Sequence, residues 1–120
     1  MLSLDTHILL RALTGELTRK ERSLLSGRRW SISSIVLWEI AKLAELGRIE
    51  VDLDDVELNR VLSRLHVWPI TWTICRTIRT LDLPGDPADE IIAATSVVER
   101  VPLVTRDRKI RSCPAVPLAT

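Results

Sequence analysis

The sequence predicts an α/β fold in which a central, mostly parallel sheet is flanked by helices. Short apolar runs of the kind found in strands alternate along the chain with segments of helical spacing, and this alternation is typical of parallel sheets. A length of 120 residues suits one domain with a modest core. We therefore expect a single domain over residues 1–120.

The first quarter of the chain predicts one strand and two helices. An apolar run at residues 1–4 predicts a strand. Helical spacing follows from Thr6 to Leu13, and Gly15 suits the end of that helix. Thr18 and Glu21 have the spacing of a capping box, so they predict the start of a second helix.

The middle of the chain predicts two strands and three helices. Alternation in Arg29 to Ser33 predicts a strand, and a long helix follows at residues 34–46. Acidic residues at 54–57 favour the first turn of a helix. Val67 to Ile70 predicts an edge strand, because its proline cannot donate a ladder hydrogen bond. The next helix spans about Thr73 to Leu81.

The last third of the chain predicts a buried helix. Leu83 to Pro87 predicts a turn, in which Asp86 suits the N-cap and Pro87 the first helical position. From there to about Arg100 the residues are largely apolar or small, as in a helix packed on most sides. Strands are predicted at Val101 to Val104 and at Val116 to Leu118.

Charge and hydropathy argue against a strongly basic nucleic-acid-binding protein and against a secreted or membrane-spanning one. The formal charge is +1, whereas proteins that bind nucleic acid through bulk electrostatics are usually strongly basic. Positive charge must therefore be local, or a bound cation must contribute it. The N-terminus lacks the basic segment of a signal peptide, and no apolar run reaches the roughly 20 residues that span a bilayer. We therefore expect a cytoplasmic protein.

Two aspartates follow predicted strands. Asp5 comes after the first strand, and Asp107 follows Val104 closely. Ligand sites in α/β sheets gather at the carboxyl ends of the strands, so both residues are candidate site residues. Each also fits a simpler role, since Asp5 can cap the helix that follows it and Asp107 can belong to a turn.

Two further acids lie on predicted helices. Glu39 falls among apolar residues at helical spacing, where an acid is expected to be paired, protonated or bound to metal. Lys42 is a candidate partner for it. Asp89 lies in the first turn of the apolar helix, where it also complements the helix dipole.

The four acids together predict a metal site. Carboxylates that converge repel one another, and a divalent cation that prefers oxygen ligands, Mg²⁺ or Mn²⁺, removes the repulsion. Such ions activate water and stabilise charge on a phosphoryl group, so phosphodiester hydrolysis is the expected chemistry.

Three stretches of the sequence together resemble the PIN domain, and specifically the VapC-type toxins of bacterial toxin–antitoxin pairs. They are LSLDTHILLRAL at the start, SISSIVLWEIAKLAELGRIE in the first half, and GDPADEIIAATSVVERVPLVTRDRKI near the end. The resemblance implies a three-layer α/β/α PIN-like sandwich and a Mg²⁺- or Mn²⁺-dependent endoribonuclease that cuts tRNA, rRNA or mRNA. It also implies a homodimer and a VapB-type antitoxin that blocks the site.

The resemblance assigns roles to residues of this sequence. The catalytic and metal-binding acids of the family fall on Asp5, Glu39, Asp89 and Asp107. Accessory roles fall on Asp86 of the DPAD motif and on the hydroxyl residues Thr6 and Thr105. Two positions depart from the family pattern, because Ala88 replaces a common aromatic residue and Glu90 replaces a common arginine.

Positive charge surrounds the last acid. Arg106, Arg108 and Lys109 are predicted to contact RNA phosphates. An ordinary solvated turn explains the same residues equally well.

Four functions remain open from the sequence. The chain fits a toxin nuclease, a PIN-type nuclease in RNA processing, a non-catalytic RNA- or protein-binding module, and a phosphatase-like enzyme acting on small molecules. The presence of all four acids argues against the binding module. The phosphatase hypothesis predicts a DxD motif after the first strand, and the sequence lacks one, because Thr6 and His7 follow Asp5.

Overall fold

A parallel sheet lies at the centre of the molecule. In the computed structural model, which describes residues 1–83 and 85–120, four strands pair in the order β3-β2-β1-β4. The strands are β1 (Leu2–Leu4), β2 (Trp30–Ser33), β3 (His66–Trp68) and β4 (Leu103–Val104). Every pairing between them is parallel. The predicted mostly parallel sheet is therefore confirmed.

The helices lie between these strands in the chain. They are α1 (Thr6–Thr14), α2 (Arg19–Leu25), α3 (Ser34–Glu45), α4 (Val56–Arg64), α5 (Trp72–Thr77), α6 (Pro87–Glu99) and α7 (Arg108–Arg111). All residues of β1 are buried, which requires cover on both faces of the sheet because successive side chains point in opposite directions. The predicted α/β/α sandwich is thus confirmed. In the part of the chain that the structure describes, every helix is too short or too polar to cross a bilayer.

Most helices begin at a residue whose side chain accepts a backbone hydrogen bond, as capping requires. The predicted capping box is present, with Thr18 and Glu21 each bonded to the other's backbone N–H. The candidate site residues Asp5, Asp86 and Asp107 cap α1, α6 and α7. Three acids of the predicted site are therefore held in place by the backbone of the helices they start.

Helix α6 is buried, as predicted. Ile92, Ala93 and Ala94 are fully buried in it, and the helix packs against α3, α5 and β2. Its small residues let neighbouring backbones approach closely, while Ile92 fills the space between them. The position of its first turn, which carries Asp89, is fixed by this packing.

Several predicted boundaries are wrong. The strand expected from Val67 starts at His66 and ends at Trp68, because Pro69 lacks the N–H that would continue the ladder. The helix expected to reach Leu81 stops at Thr77 and continues as a 3-10 turn, Ile78–Thr80. The predicted turn at Leu83 to Pro87 includes Pro84, which lies outside the described residues.

The C-terminal elements differ most from expectation. Residues 116–118 form no strand of their own, and Leu118 makes only an isolated bridge to Leu103. Pro117 accepts a hydrogen bond from the Leu103 backbone at 2.8 Å but has no N–H to return. The segment after Thr105, expected as a turn, contains the short helix α7.

Candidate active site

The site lies where the strand order reverses. The chain runs from β1 through β2 to β3 on one side of β1, whereas β4 lies on the other side. Ligands in open α/β sheets bind at such a switch point, beyond the carboxyl ends of the strands. Asp5 follows β1 and Thr105 follows β4, and the Thr105 hydroxyl donates a hydrogen bond to Asp5 Oδ2. The first and last predicted acids are brought together in this way.

Asp5 is buried, and each of its two carboxylate oxygens accepts a hydrogen bond. Its Oδ1 accepts from the backbone N–H of Ile8 at 2.8 Å, and its Oδ2 accepts from Thr105. Burial raises the pKa of Asp5 above its ordinary value, although these two hydrogen bonds and the nearby His7 oppose the rise. The residue acts both as the helix cap and as a member of the predicted site.

Glu39 reaches the site from α3. The hydroxyl of Thr6, the residue after Asp5, donates a hydrogen bond to Glu39 Oε1. The candidate partner Lys42 lies instead 3.5 Å from Glu45. The Thr6 hydroxyl therefore orients the Glu39 side chain without forming an ion pair with it.

Asp86 and Asp89 lie at the start of α6. Asp86 accepts a hydrogen bond from the backbone N–H of Ala88 at 2.8 Å. Both aspartates line a cavity of about 290 Å³ together with Asp107. The cavity is also lined by Leu83, Arg108, Lys109 and Ile110.

Asp107 faces the same cavity from the start of α7. Its Oδ1 accepts from the backbone N–H groups of Lys109 and Ile110, at 2.9 and 3.1 Å. Its own N–H donates to the Thr105 hydroxyl at 3.0 Å. Thr105 therefore contacts both Asp5 and Asp107, and it fixes the two acids relative to each other.

The pKa of Asp89 reflects both its burial and the charges of the neighbouring acids. Its pKa is raised from 3.8 to about 7, first by burial and then by the charges of Asp86, Asp107, Glu39 and Asp5. Negative charge accumulates here because the ion pairs found among the described residues involve none of these five acids.

The donor set suits a hard divalent cation. All five acids offer carboxylate oxygens, and a bound cation would relieve the repulsion among them that helps to raise the pKa of Asp89. Within residues 1–83 and 85–120, however, no three His, Cys, Asp or Glu side chains are grouped so that they could hold a metal ion as they stand. Mg²⁺ is usually held by only one or two carboxylates and several waters.

The three predicted RNA-contacting residues lie in different surroundings. Arg108 and Lys109 are exposed and line the cavity beside the acids. Arg106 turns away to α2, where its guanidinium donates two hydrogen bonds of 2.6 Å to Glu21. Only the first two therefore place positive charge beside the cavity.

Two contributions were missed by the sequence reasoning. The sequence indicates only a capping role for Glu21, although this residue also contacts Arg106. The resemblance implies an accessory role for Asp86, yet Asp86 raises the pKa of Asp89 more than any other neighbouring acid does. The spacing of Asp86 and Asp89 on one helical turn was the available signal for the second.

The raised pKa of Asp89 predicts a pH-dependent stability. The folded chain keeps this proton up to about pH 7, whereas the unfolded chain loses it near 3.8. The contribution of Asp89 to stability is therefore greatest below about pH 4 and falls as the pH rises through about 7. We expect Asp89→Asn, which cannot ionise, to melt at a higher temperature than the wild type at about pH 8, with the difference shrinking towards about pH 4.

Thermal melts in EDTA across this pH range measure the effect. Asp54→Asn is the matched control, because Asp54 is exposed in the loop before α4. An Asp89→Asn melting temperature that tracks the wild type at every pH would contradict the raised pKa.

Comparison with known proteins agrees with the fold. The sequence matches the PIN domain over residues 2–115. It is 34% identical over 85 residues to a protein named Ribonuclease VapC22 from Mycobacterium tuberculosis. That alignment covers 68% of this chain and 65% of the relative, so it spans less than two thirds of the relative's length.

Two solved structures share the architecture. A toxin–antitoxin complex from Klebsiella pneumoniae superposes with a TM-score of 0.73 at 22% identity, covering 97% of this chain and 95% of the other. VapBC2 from Rickettsia felis, bound to a DNA fragment from its promoter, gives a TM-score of 0.72 at 21% identity, with 98% and 96% covered. With a family match that spans nearly the whole sequence and a fold shared over nearly every residue, this chain belongs to the PIN domain family.

Proposed function

We propose that this chain is an endoribonuclease that depends on Mg²⁺ or Mn²⁺ and acts as the toxin of a VapBC-type toxin–antitoxin pair. The observation that carries the proposal is the convergence of acids beside one cavity, which Asp86, Asp89 and Asp107 line and to which Thr105 connects Asp5. The charges of the neighbouring acids add to burial in raising the pKa of Asp89 to about 7. An arrangement that costs folding free energy without a cation is expected where function requires it.

The proposed roles follow from the contacts of each residue. Asp5, Glu39, Asp89 and Asp107 are the catalytic acids that would hold the cation, with Asp86 beside them. A divalent cation bound there supplies charge stabilisation to the phosphoryl group and lowers the pKa of a bound water. Thr6 keeps a carboxylate oxygen of Glu39 in place, and Thr105 does the same for Asp5.

RNA is proposed to lie across the cavity. Arg108 and Lys109 are exposed at its rim, next to Asp107. Their charges can pair with the phosphates on either side of the bond that is cut. A total charge of only +1 leaves local contacts of this kind as the main source of affinity.

The proposed toxin role and its partners rest on the named relatives. One is called a ribonuclease, and the structural neighbours are toxin–antitoxin complexes. We infer a homodimer of this single domain in the cytoplasm, together with a VapB-type antitoxin that covers the site. Expression of the chain alone should then arrest growth, and the product of an adjacent antitoxin gene should relieve the arrest.

A comparison of substrates tests the proposed chemistry. Purified protein with Mn²⁺ is incubated separately with RNA, with DNA of the same sequence and with p-nitrophenyl phosphate. Internal cleavage of RNA alone is the expected result. Release of nitrophenol without RNA cleavage would replace the proposal with the phosphatase reading, and RNA that is bound but left intact would favour the non-catalytic module.

A further inference from the structure

Arg106 is held by a contact that the proposed chemistry does not use. Its Nε and Nη2 donate hydrogen bonds of 2.6 Å to the two carboxylate oxygens of Glu21, and Nη2 also lies 3.4 Å from the Glu16 carbonyl oxygen. The Glu21 side chain keeps only 12% of its exposure, against 39% for Arg106. A bidentate contact of this kind fixes the orientation of the guanidinium group as well as its distance from the carboxylate.

Glu21 is itself fixed at the start of α2. Its Oε1 accepts from the backbone N–H of Thr18 at 2.8 Å, and the Thr18 hydroxyl accepts from the backbone N–H of Glu21 at 3.1 Å. The hydrogen bonds from Arg106 are the main reason why the pKa of Glu21 falls to about 2. Arg106 is thus bound to a carboxylate that is held in place by the helix start and is charged at neutral pH.

The residues on either side of Arg106 belong to the site. Thr105 contacts Asp5 through its hydroxyl and accepts the Asp107 N–H. The Thr105 carbonyl oxygen accepts a further hydrogen bond from Arg111 at 3.0 Å. A displacement of Arg106 would therefore move the Asp107 carboxylate relative to that of Asp5.

We propose that the Glu21–Arg106 pair positions the segment from Thr105 to Asp107, and thereby sets the spacing of the Asp5 and Asp107 carboxylates. Arg106 then acts as a positioning residue and makes no contact with RNA. The inference rests on the proposed function, because a shared cation is what makes this spacing matter. A small displacement of either carboxylate is enough to impair the site, since groups that share a cation or substrate must be held to within about 0.5 Å of their working positions.

The test combines Glu21→Gln, Arg106→Gln and the double variant. Gln at position 21 keeps an oxygen for the Thr18 N–H while it removes the charge. We expect each single variant to lower kcat for RNA cleavage by about tenfold or more, with KM nearly unchanged. The double variant should lose no more than either single variant, because both remove the same contact.

A second readout does not depend on catalysis. Binding of Mn²⁺ to the RNA-free protein, measured by calorimetry, should weaken by about tenfold in each single variant. Glu57→Gln and Arg60→Gln are the matched controls, because that pair has a 2.7 Å contact on the exposed face of α4. These two controls should leave Mn²⁺ binding and kcat unchanged.

Two outcomes would overturn the inference. A weaker RNA affinity in Arg106→Gln, with wild-type affinity in Glu21→Gln, would make Arg106 an RNA contact. A lower melting temperature with unchanged kcat and Mn²⁺ affinity would leave the pair a purely stabilising one. A wild-type chain that binds Mn²⁺ but never cleaves RNA would refute the proposed nuclease, while the effect of the variants on Mn²⁺ affinity would still decide the role of the pair.

Discussion

Asp5→Asn is expected to lower the rate of RNA cleavage by about a thousandfold, which corresponds to ~4 kcal/mol of lost transition-state stabilisation. The substitution removes one charge from the proposed cation site but keeps the size of the side chain. Asparagine retains an oxygen for the Ile8 N–H that starts α1, and its amide can donate to the Thr105 hydroxyl. The melting temperature should therefore stay the same or rise, because burial raises the pKa of Asp5 and makes its charge costly.

The measurement is the single-turnover rate on a defined RNA, with thermal melting of the same samples. Asp54→Asn serves as the control, since Asp54 is exposed in the loop before α4. Cleavage at the wild-type rate by a folded Asp5→Asn protein would remove Asp5 from the catalytic site.

Ile92→Ala is expected to lower the free energy of unfolding by about 3 kcal/mol. Ile92 is fully buried in α6, and its replacement leaves a cavity beside the sheet that the close-packed helix cannot fill. For a domain of this size the loss corresponds to a fall in melting temperature of roughly 10 °C. Urea denaturation followed by circular dichroism measures the change, provided that the slope of the transition is unchanged.

The matched control is Ile70→Ala, because Ile70 is 40% exposed in the loop before α5. The same substitution there should cost less than about 1 kcal/mol. Equal losses at the two positions would contradict the central place of α6 in the core.

The positions of Asp5 and Asp107 could be predicted because strand ends are visible in the sequence. An apolar run marks β1, and a second marks β4, so the residues that follow them must meet at one edge of a parallel sheet. The first turn of α6 was equally clear, because Asp86 and Pro87 are strong helix-start signals. The fold follows from these few local signals.

Other features depend on contacts that no local pattern contains. Helix α7 has only four residues, mostly basic, so it shows no apolar periodicity. The second role of Glu21 comes from Arg106, which lies 85 residues further along the chain. Tertiary structure alone brings these two residues together.

The carboxylate cluster links stability to function. Removal of the charge at position 89 should stabilise the protein at about pH 8, whereas removal of the charge at position 5 should lower the proposed activity by about a thousandfold. Both expectations follow from the negative charge of the buried acids, which destabilises the folded chain in the absence of a cation and would bind the cation that the proposed chemistry requires. A bound cation would stabilise the charged forms and reverse the first effect.

Cleavage of total cellular RNA by the purified, partner-free chain tests the central claim most directly. Parallel samples contain Mg²⁺, Mn²⁺, EDTA, or EDTA followed by an excess of Mn²⁺, and each is repeated with Asp5→Asn and Asp89→Asn. The account predicts discrete fragments in the wild type with either ion, none in EDTA, recovery on addition of Mn²⁺, and none with either variant. Fragments that persist in EDTA, or that both variants produce at the wild-type rate, would contradict a metal-dependent ribonuclease at these carboxylates.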